Sequence, residues 1–280
     1  MATNALKKTG TIACHNYIFG YGSLICSKSR KITAPKLEKK SAIPTVINHF
    51  QRSWNARIEF DNNDNSAIRG WTAMGIQPRR GHSCTGVLIE VNNEELANFD
   101  KRERGYDRVE VDLVDVYPHC QKDLEEKSHY GLCAAAERRN SKTHSCDDGN
   151  DGVKVWIYLP QKGGDGANEQ YPILQSYLDI ILRGCLSIGI DFTWSFLKST
   201  HGWWNGDCHL FQRSGDKATV PEFLWIDDRQ HPLYIRADAD FSERMKDDLD
   251  GVIERVHAKP LEKRRPWNAL LVAKRCDGSF

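Results

Sequence analysis

The first third of the chain alternates short apolar segments with turn-forming residues, which is the pattern of β-strands. The run Tyr17-Ile18-Phe19 leads directly into a Gly-Tyr-Gly-Ser turn and predicts a buried strand that ends abruptly. Residues 45–58, 70–76 and 85–91 are rich in β-branched and aromatic side chains and are separated by Asn, Asp, Gly and Pro. Together these segments predict a sheet or barrel.

The next segment changes to a helical pattern and then returns to strand. Asn92 predicts a helix cap, with Glu95 three positions on, and Gly105 provides a C-terminal stop, so a helix is expected over residues 93–104. After it, apolar residues alternate with acidic ones at a two-residue period and then shift phase. This predicts a strand with a β-bulge over residues 109–116.

Helical periodicity is strongest in the C-terminal half. Apolar residues recur at i, i+3, i+4, i+7, i+8 and i+11 over residues 174–185, after a Pro172 that suits a first helical turn. A second helix is expected from a cap at Asp191 through Leu197. A third apolar helical pattern covers residues 241–256.

The stretch between the second and third helices, residues 201–240, is typical of a loop but is rich in aromatic side chains. These residues are Trp203, Trp204, Phe211, Phe223, Trp225 and Tyr234. Packing over the core is the favoured interpretation, and stacking on nucleobases or carbohydrate is the alternative.

These patterns divide the chain into one main domain with additions. Residues 118–152 are polar and predict a long, partly disordered insertion, after which strand character returns over residues 153–159. We expect a flexible N-terminus over residues 1–16 and a main domain over residues 17–190. A C-terminal extension of helices and aromatic loops, residues 191–280, is expected to pack on that domain.

Composition places the chain among ordinary globular proteins. Hydrophobic residues make up 40% and charged residues 28%. The 39 basic and 38 acidic side chains leave a formal charge of +1. The net charge therefore provides no electrostatic attraction for nucleic acid or for an anionic membrane. No apolar run approaches the roughly 20 residues that a bilayer helix needs. The expected partner is a small molecule, with no nucleic acid and no membrane, and the oligomeric state is left open.

Cysteine usage and the start of the sequence predict a cytoplasmic protein. The nine cysteines are an odd number, are widely spread and include no Cys-x-x-Cys pair, which fits reduced thiols. Residues 1–16 have no signal-peptide apolar region. They contain Lys and no acidic residue, so an organelle transit peptide is the alternative.

Two segments carry candidate chemistry, and the first is the turn after the first strand. In Gly20-Tyr21-Gly22-Ser23-Leu24, here termed the cradle turn, two glycines flank a tyrosine. Glycine permits positive φ and close approach of a ligand to the backbone, so successive N–H groups can converge on an anion. The alternative is a tight turn that binds no ligand.

The second candidate is Glu103, which lies on the apolar face of the predicted helix. A carboxylate that faces the core is costly to leave charged, so its pKa is expected to be raised. The alternative is a structural ion pair with Arg102, Arg104 or Arg108. The residues by themselves leave both interpretations open.

Taken together, the two segments resemble the γ-glutamylcyclotransferase superfamily. The shared pattern is Tyr-Gly-Ser-Leu after an N-terminal strand, followed by Phe99-Asp100-Lys101-Arg102-Glu103 and then by Gly105-Tyr106 opening a strand. The pattern is most similar to the ChaC-like, glutathione-degrading branch and covers residues 17–159. The resemblance implies an α+β fold, a mixed β-barrel with flanking helices, and chemistry that requires neither a metal nor an organic cofactor.

The resemblance also implies roles for individual residues. The implied substrate-binding residues are Gly20, Tyr21, Gly22, Ser23, Leu24 and Tyr106. Glu103 is implied as the catalytic base, which takes a proton from the α-amino group of a γ-glutamyl amide. That amine closes a five-membered ring on its own side-chain carbonyl, giving 5-oxoproline and a released amine or peptide. The chain has Arg52-Ser53-Trp54-Asn55 where the ChaC-like branch usually has Gly-Ser and His-Arg-Gly, so glutathione and other γ-glutamyl compounds are all candidates.

Several other functions compete with this one. A non-catalytic module could keep the cradle turn to bind a small carboxylated ligand. Cys26 with His49 could form a nucleophile pair, and Asp227-Asp228-Arg229 could form a second acid–base site, a surface ion pair or a loop cap. A zinc site is conceivable in the polar insertion, although the spacings match no paired-ligand pattern. Its candidate ligands are His119, Cys120, His129, Cys133, His144 and Cys146.

Overall fold

The structure is a computed structural model that describes residues 15–39, 42–60, 68–119, 153–161, 166–203, 225–262 and 264–266. Its strands are β1 His15–Gly20, β2 Ile43–Glu59, β3 Gly70–Val91, β4 Tyr106–Val111, β5 Val116–Pro118, β6 Val153–Pro160, β7 Ile173–Leu174, β8 Thr200–His201, β9 Trp225–Asp227 and β10 Arg265–Pro266. Its helices are α1 Ser27–Thr33, α2 Asn93–Arg102, α3 Gln175–Ile188, α4 Ile190–Lys198, α5 Ala239–Arg244 and α6 Lys246–Glu262.

A seven-stranded mixed sheet forms the centre of the molecule. Its order is β4-β6-β1-β3-β2-β5, with β8 also paired to β2. Strand β1 is antiparallel to β3 and parallel to β6, so the sheet is mixed. The sheet curls into an open half-barrel, and a second sheet contains β10, β9 and β7. The predicted α+β class with a mixed, barrel-like sheet is therefore confirmed.

The long hairpin of β2 and β3 corrects one prediction. Residues 70–76 and 85–91, predicted as separate strands, belong to the single strand β3. The polar residues between them stay paired with β2, across a bulge at His49, whose φ is 64°. Residues 77–83 are exposed or half-buried, so their side chains lack the apolar pattern that predicts a strand. Their backbone nevertheless stays paired with β2.

Several boundaries also differ from those predicted. The predicted bulge is wrong, since β4 ends at Val111 and Asp112 caps a short 3-10 turn before β5. Pro172 precedes β7 rather than opening a helix. Asp191 lies inside α4, whose N-cap is Gly189, and the third predicted helix is broken at Met245 into α5 and α6.

Other predictions hold or lie outside the described residues. Asn92 and Glu95 form the reciprocal capping box of α2, and α3 follows the predicted apolar stripe. Of the aromatic loop, Trp203, Trp225 and Tyr234 are buried. Residues 1–14, 120–152 and 204–224 are outside the described part of the chain. Over that described part, no helix has both the length and the apolar character to cross a bilayer.

Helix α3 packs directly against Ile25 and Cys26, which follow the cradle turn, because residue 184 is glycine. A Cβ atom at Gly184 would lie 2.5 Å from the Cys26 backbone nitrogen and 2.7 Å from the Ile25 carbonyl carbon. Backbone atoms cannot yield to a methyl group without movement of the turn. By contrast, a Cβ atom at Gly251, inside α6, would meet nothing within 4 Å.

We therefore expect opposite effects from alanine at these two helical glycines. Gly184→Ala should lower the free energy of unfolding by about 1–3 kcal/mol, because the added methyl overpacks the turn. Gly251→Ala should raise it by up to about 1 kcal/mol, because alanine has the higher helix propensity. Urea unfolding of both variants measures the difference. Equal stability of the two variants would show that α3 does not constrain the turn.

Candidate active site

The cradle turn is held mainly by hydrogen bonds that its backbone carbonyl groups accept. A short 3-10 helix, Ser23–Ile25, begins immediately after Gly22, and Ile25 N–H donates to the Gly22 carbonyl at 3.0 Å. Arg30 is buried and donates to the Leu24 and Ile25 carbonyls at 2.7 and 2.8 Å. In a 3-10 helix the N–H groups of the first residues have no carbonyl acceptor inside the helix. The amides of Ser23 and Leu24 therefore have no acceptor within the turn.

The two glycines of the turn serve close packing. Neither has a positive φ, which differs from the conformational reason expected from sequence. A Cβ atom at Gly22 would lie 3.0 Å from the Tyr177 hydroxyl, and one at Gly20 would lie 2.9 Å from the Leu24 Cβ atom. Glycine therefore lets α3 place a hydroxyl group directly against the turn.

A second buried arginine supports the turn from beneath. Arg52 is fully buried and donates to Thr200 Oγ1 at 2.7 Å, to the Phe196 carbonyl at 2.6 Å and to the Tyr21 carbonyl at 3.5 Å. Its guanidinium carbon lies 3.6 Å from the centre of the Phe196 ring. One side chain of β2 thus joins the cradle turn to α4 and β8.

Glu103 lies immediately after α2 rather than inside it. Its φ and ψ are −90° and 40°, and Gly105, with a φ of 89°, then turns the chain into β4. The side chain is 18% exposed, and its Oε1 atom is 3.0 Å from Nε of Arg102. The ion pair considered as an alternative is therefore present with Arg102. Arg108 pairs instead with Asp100, at 2.9 Å.

Arg102 connects Glu103 to the cradle turn. Its guanidinium also donates to Ser23 Oγ at 3.1 Å, to the Ser29 carbonyl at 3.0 Å and to Thr33 Oγ1 at 2.9 Å. These bonds hold the end of α2 against the turn and α1. The two segments singled out in the sequence are therefore neighbours in space.

Two cavities share Glu103 in their linings. A small space of about 40 Å³, the inner recess, is lined by residues of the cradle turn, by Met74 and by a ring of tyrosines. A larger space of about 370 Å³, the outer cavity, opens beside it. Both are lined by Ser23, Glu103, Tyr106 and Tyr177. Gly20 is the one predicted site residue that does not line either cavity, since it ends β1 behind the turn.

The surroundings of Glu103 favour its protonated form. Burial raises the pKa of its carboxyl group, and the charges of Arg102 and Arg236 oppose that shift without cancelling it. This direction agrees with the expectation from sequence. Burial also raises the pKa of the Tyr106 and Tyr177 hydroxyls, so both are neutral hydrogen-bond donors at ordinary pH.

Sequence patterns missed several residues of the site. Tyr177 belongs to the apolar stripe of α3 and was counted as core, yet its hydroxyl faces the cradle turn. Tyr158, whose carbonyl accepts a 2.6 Å bond from the Tyr21 hydroxyl, lies on β6 and lines the inner recess. Tyr234 and Arg236 line the outer cavity from the C-terminal region. No local pattern assigns these residues to the site, because their roles depend on long-range contacts.

The competing sites are not assembled by the described residues. Cys26 is buried, the ring of His49 faces Asp115 at 3.7 Å, and no hydrogen bond joins Cys26 to His49 in the described structure. Asp228 and Arg229 are buried, so they are not a surface pair. Within the described ranges, no group of three or more His, Cys, Asp or Glu could hold a metal ion. Of the proposed zinc ligands, only His119 lies in those ranges.

No family model and no curated protein matches the sequence. Solved structures that are similar include a γ-glutamyl cyclotransferase, at 16% identity and a TM-score of 0.41, covering 65% of this chain and 86% of that one. YkqA from Bacillus subtilis has 16% identity and a TM-score of 0.40, with coverage of 64% and 51%. The yeast γ-glutamyl cyclotransferase specific to glutathione has 16% identity and a TM-score of 0.33, with coverage of 52% and 69%. We therefore infer the reaction from the site itself.

The raised pKa of Glu103 predicts a pH-dependent effect of Glu103→Gln on stability. A carboxyl group whose pKa is higher in the folded than in the unfolded state stabilises the fold at low pH, and this stabilisation is lost as pH rises through the folded pKa. Glutamine does not titrate. The variant should therefore gain stability relative to the wild type as pH rises from about 4 towards neutrality.

Chemical unfolding of both proteins across this pH range measures the difference. Glu94→Gln removes an exposed carboxylate from the same helix and is the matched control. If the variant instead loses stability relative to the wild type as pH rises, the ion pair with Arg102 outweighs burial.

Proposed function

We propose that the protein cyclises γ-glutamyl amides or peptides to 5-oxoproline, with release of the amine. The observation that carries this proposal is the position of Glu103, on the shared wall of the inner recess and the outer cavity, next to the cradle turn. A substrate that spans both spaces has its scissile amide beside this carboxylate.

The two spaces suit the two halves of such a substrate. The inner recess of about 40 Å³ has room for about three water-sized groups, so it suits the α-carboxylate of the glutamyl unit. In this proposal the amides of Ser23 and Leu24, which have no acceptor within the turn, bind the α-carboxylate of the glutamyl unit. The outer cavity of about 370 Å³ is large enough for the amino acid or peptide that leaves.

Cyclisation needs little beyond positioning and proton transfer. The α-ammonium group gives a proton to Glu103, and the resulting amine attacks the side-chain carbonyl carbon. The attacking nitrogen then loses its second proton and the tetrahedral intermediate collapses. The bond to the leaving nitrogen breaks, and that nitrogen takes up both protons, one of them from Glu103, and departs as an ammonium group, so that Glu103 is a carboxylate again. Fixing a flexible glutamyl chain in the folded geometry can lower the barrier of an intramolecular reaction by roughly 7–11 kcal/mol.

The proposed chemistry uses the electrostatics of the junction. A carboxyl group with a raised pKa is a better proton acceptor from an ammonium group than an ordinary glutamate, and it can return the proton to the leaving amine. The neutral hydroxyls of Tyr106 and Tyr177 line the same junction and supply donors for the oxygen that becomes negative in the intermediate.

One observation favours a second candidate function. Glu103 lies 3.0 Å from Arg102, so its charge also has a structural partner. A binding module that keeps the cradle turn for γ-glutamyl or other small carboxylated ligands would need Glu103 only for this pair. Such a module would bind the same compounds without converting them.

Turnover and its dependence on Glu103 separate the two functions. We expect 5-oxoproline from at least one of glutathione, γ-glutamyl amino acids and γ-glutamyl-lysine. Glu103→Gln should lower kcat about 10²- to 10⁴-fold because proton transfer is lost. Glu94→Gln, on the exposed side of α2, should leave the rate unchanged.

The outcomes that contradict the proposal are specific. Absence of product from every compound, together with measurable binding, would establish the binding module. Equal rates for the wild type and Glu103→Gln would remove Glu103 from its role as base.

A further inference from the structure

The outer cavity has one wall that comes from the C-terminal region of the chain. Leu233, Tyr234, Ile235 and Arg236 line it, opposite the residues that follow α2. All four lie outside residues 17–159, the part of the chain that carries the two motifs of the resemblance.

The wall is held in place by a buried acid. Asp228 accepts bonds from Ser176 N–H at 2.8 Å, from Ser176 Oγ–H at 2.6 Å and from Leu233 N–H at 2.9 Å. The ring of Tyr234 then packs against Tyr177, with 5.0 Å between ring centres. These contacts fix the backbone that precedes Arg236. On the other side of Arg236, Ala237 N–H donates to the Tyr234 carbonyl at 2.9 Å.

Arg236 is a cation without a hydrogen-bonding partner in this wall. Its Nε atom is buried and, among the described residues, has no acceptor. Its charge does act on two neighbours: it opposes the rise that burial causes in the pKa of Glu103, and it adds to the lowering that burial causes in the pKa of Arg102. Leaving a buried donor unpaired costs free energy, and a nearby like charge adds to that cost.

The other charges of the outer cavity are already engaged or exposed. Arg102 and Glu103 pair with each other at 3.0 Å. Glu59 accepts bonds from the Tyr171 hydroxyl at 2.9 Å. Arg104 is exposed at the rim. Three arginines and two glutamates line the cavity, so its formal charges leave an excess of one positive charge. Among these arginines, Arg236 is the partly buried one whose Nε–H has no acceptor in the described structure.

We infer that Arg236 is a specificity-determining residue that binds a carboxylate on the leaving part of the substrate. This inference rests on the proposed function. With the glutamyl head in the inner recess and the scissile amide at Glu103, the leaving part occupies the outer cavity, where a carboxylate meets the guanidinium group. The preferred substrates are then γ-glutamyl amino acids and peptides, and γ-glutamyl amides of uncharged amines are poor substrates.

Two compounds of nearly identical shape test the inference. γ-Glutamyl-alanine carries a carboxylate on the leaving part, and γ-glutamyl-alaninamide carries a neutral amide in its place. The wild type should have a kcat/KM roughly 10- to 100-fold higher for the first compound, the range for a hydrogen-bonded charge. Arg236→Gln should bring the ratio of the two kcat/KM values close to one, and this ratio cancels any effect that the lost charge has on Glu103 itself.

Two further variants control for the loss of charge and for folding. Arg244→Gln removes an exposed arginine of α5, outside the cavity, and should keep the wild-type preference. Arg236→Lys should retain part of the preference because the positive charge remains. A wild type that does not distinguish the two compounds, or an Arg236→Gln variant that distinguishes them as the wild type does, would overturn the inference.

Calorimetric binding of the same two compounds separates this inference from the proposed reaction. Tighter binding of γ-glutamyl-alanine that depends on Arg236, without turnover, would contradict the reaction and support the role of Arg236. Binding of both compounds with equal affinity, or of neither, would contradict the role of Arg236 whatever the outcome of the activity assay.

Discussion

The buried guanidinium group of Arg102 is the interaction on which the candidate site depends. Its side chain is only 6% exposed, and it bonds the carboxylate of Glu103, the hydroxyl of Ser23 and three groups of α1. Water cannot replace these partners, so each broken bond would leave a buried charged donor unpaired. The cradle turn and Glu103 are therefore held together as one unit, although they are far apart in the sequence.

Two further arginines give the turn an unusual electrostatic setting. Arg30 and Arg52 are buried, and the hydrogen bonds that the described structure gives them go mainly to carbonyl and hydroxyl oxygens, none to a carboxylate. Burial accordingly lowers the pKa of each guanidinium group. Three buried arginines thus surround the turn, and Glu103 balances only one of them. Such a setting favours an anionic ligand at the turn.

The C-terminal region and the cradle turn are mechanically linked through α3. This helix carries Gly184 against the back of the turn and Tyr177 against its front. The same helix carries Asp179, which accepts a 2.7 Å bond from the buried Arg229, next to the acid that anchors the wall of the outer cavity. A single rigid element therefore sets the depth of the inner recess and supports the wall of the outer cavity.

The sequence by itself determined those features that depend on local hydrogen bonds and local periodicity. The capping box of Asn92 and Glu95, the apolar stripe of α3 and the strands around the cradle turn are of this kind. The family resemblance also identified the cradle turn and Glu103 as the principal parts of the candidate site. Only the tertiary structure decided that β3 is continuous, because its projecting part is stabilised by pairing with β2 rather than by burial. Only it showed that Glu103 pairs with Arg102 while its pKa stays raised, and that Nε of Arg236 has no acceptor among the described residues, since both depend on which distant groups surround a side chain.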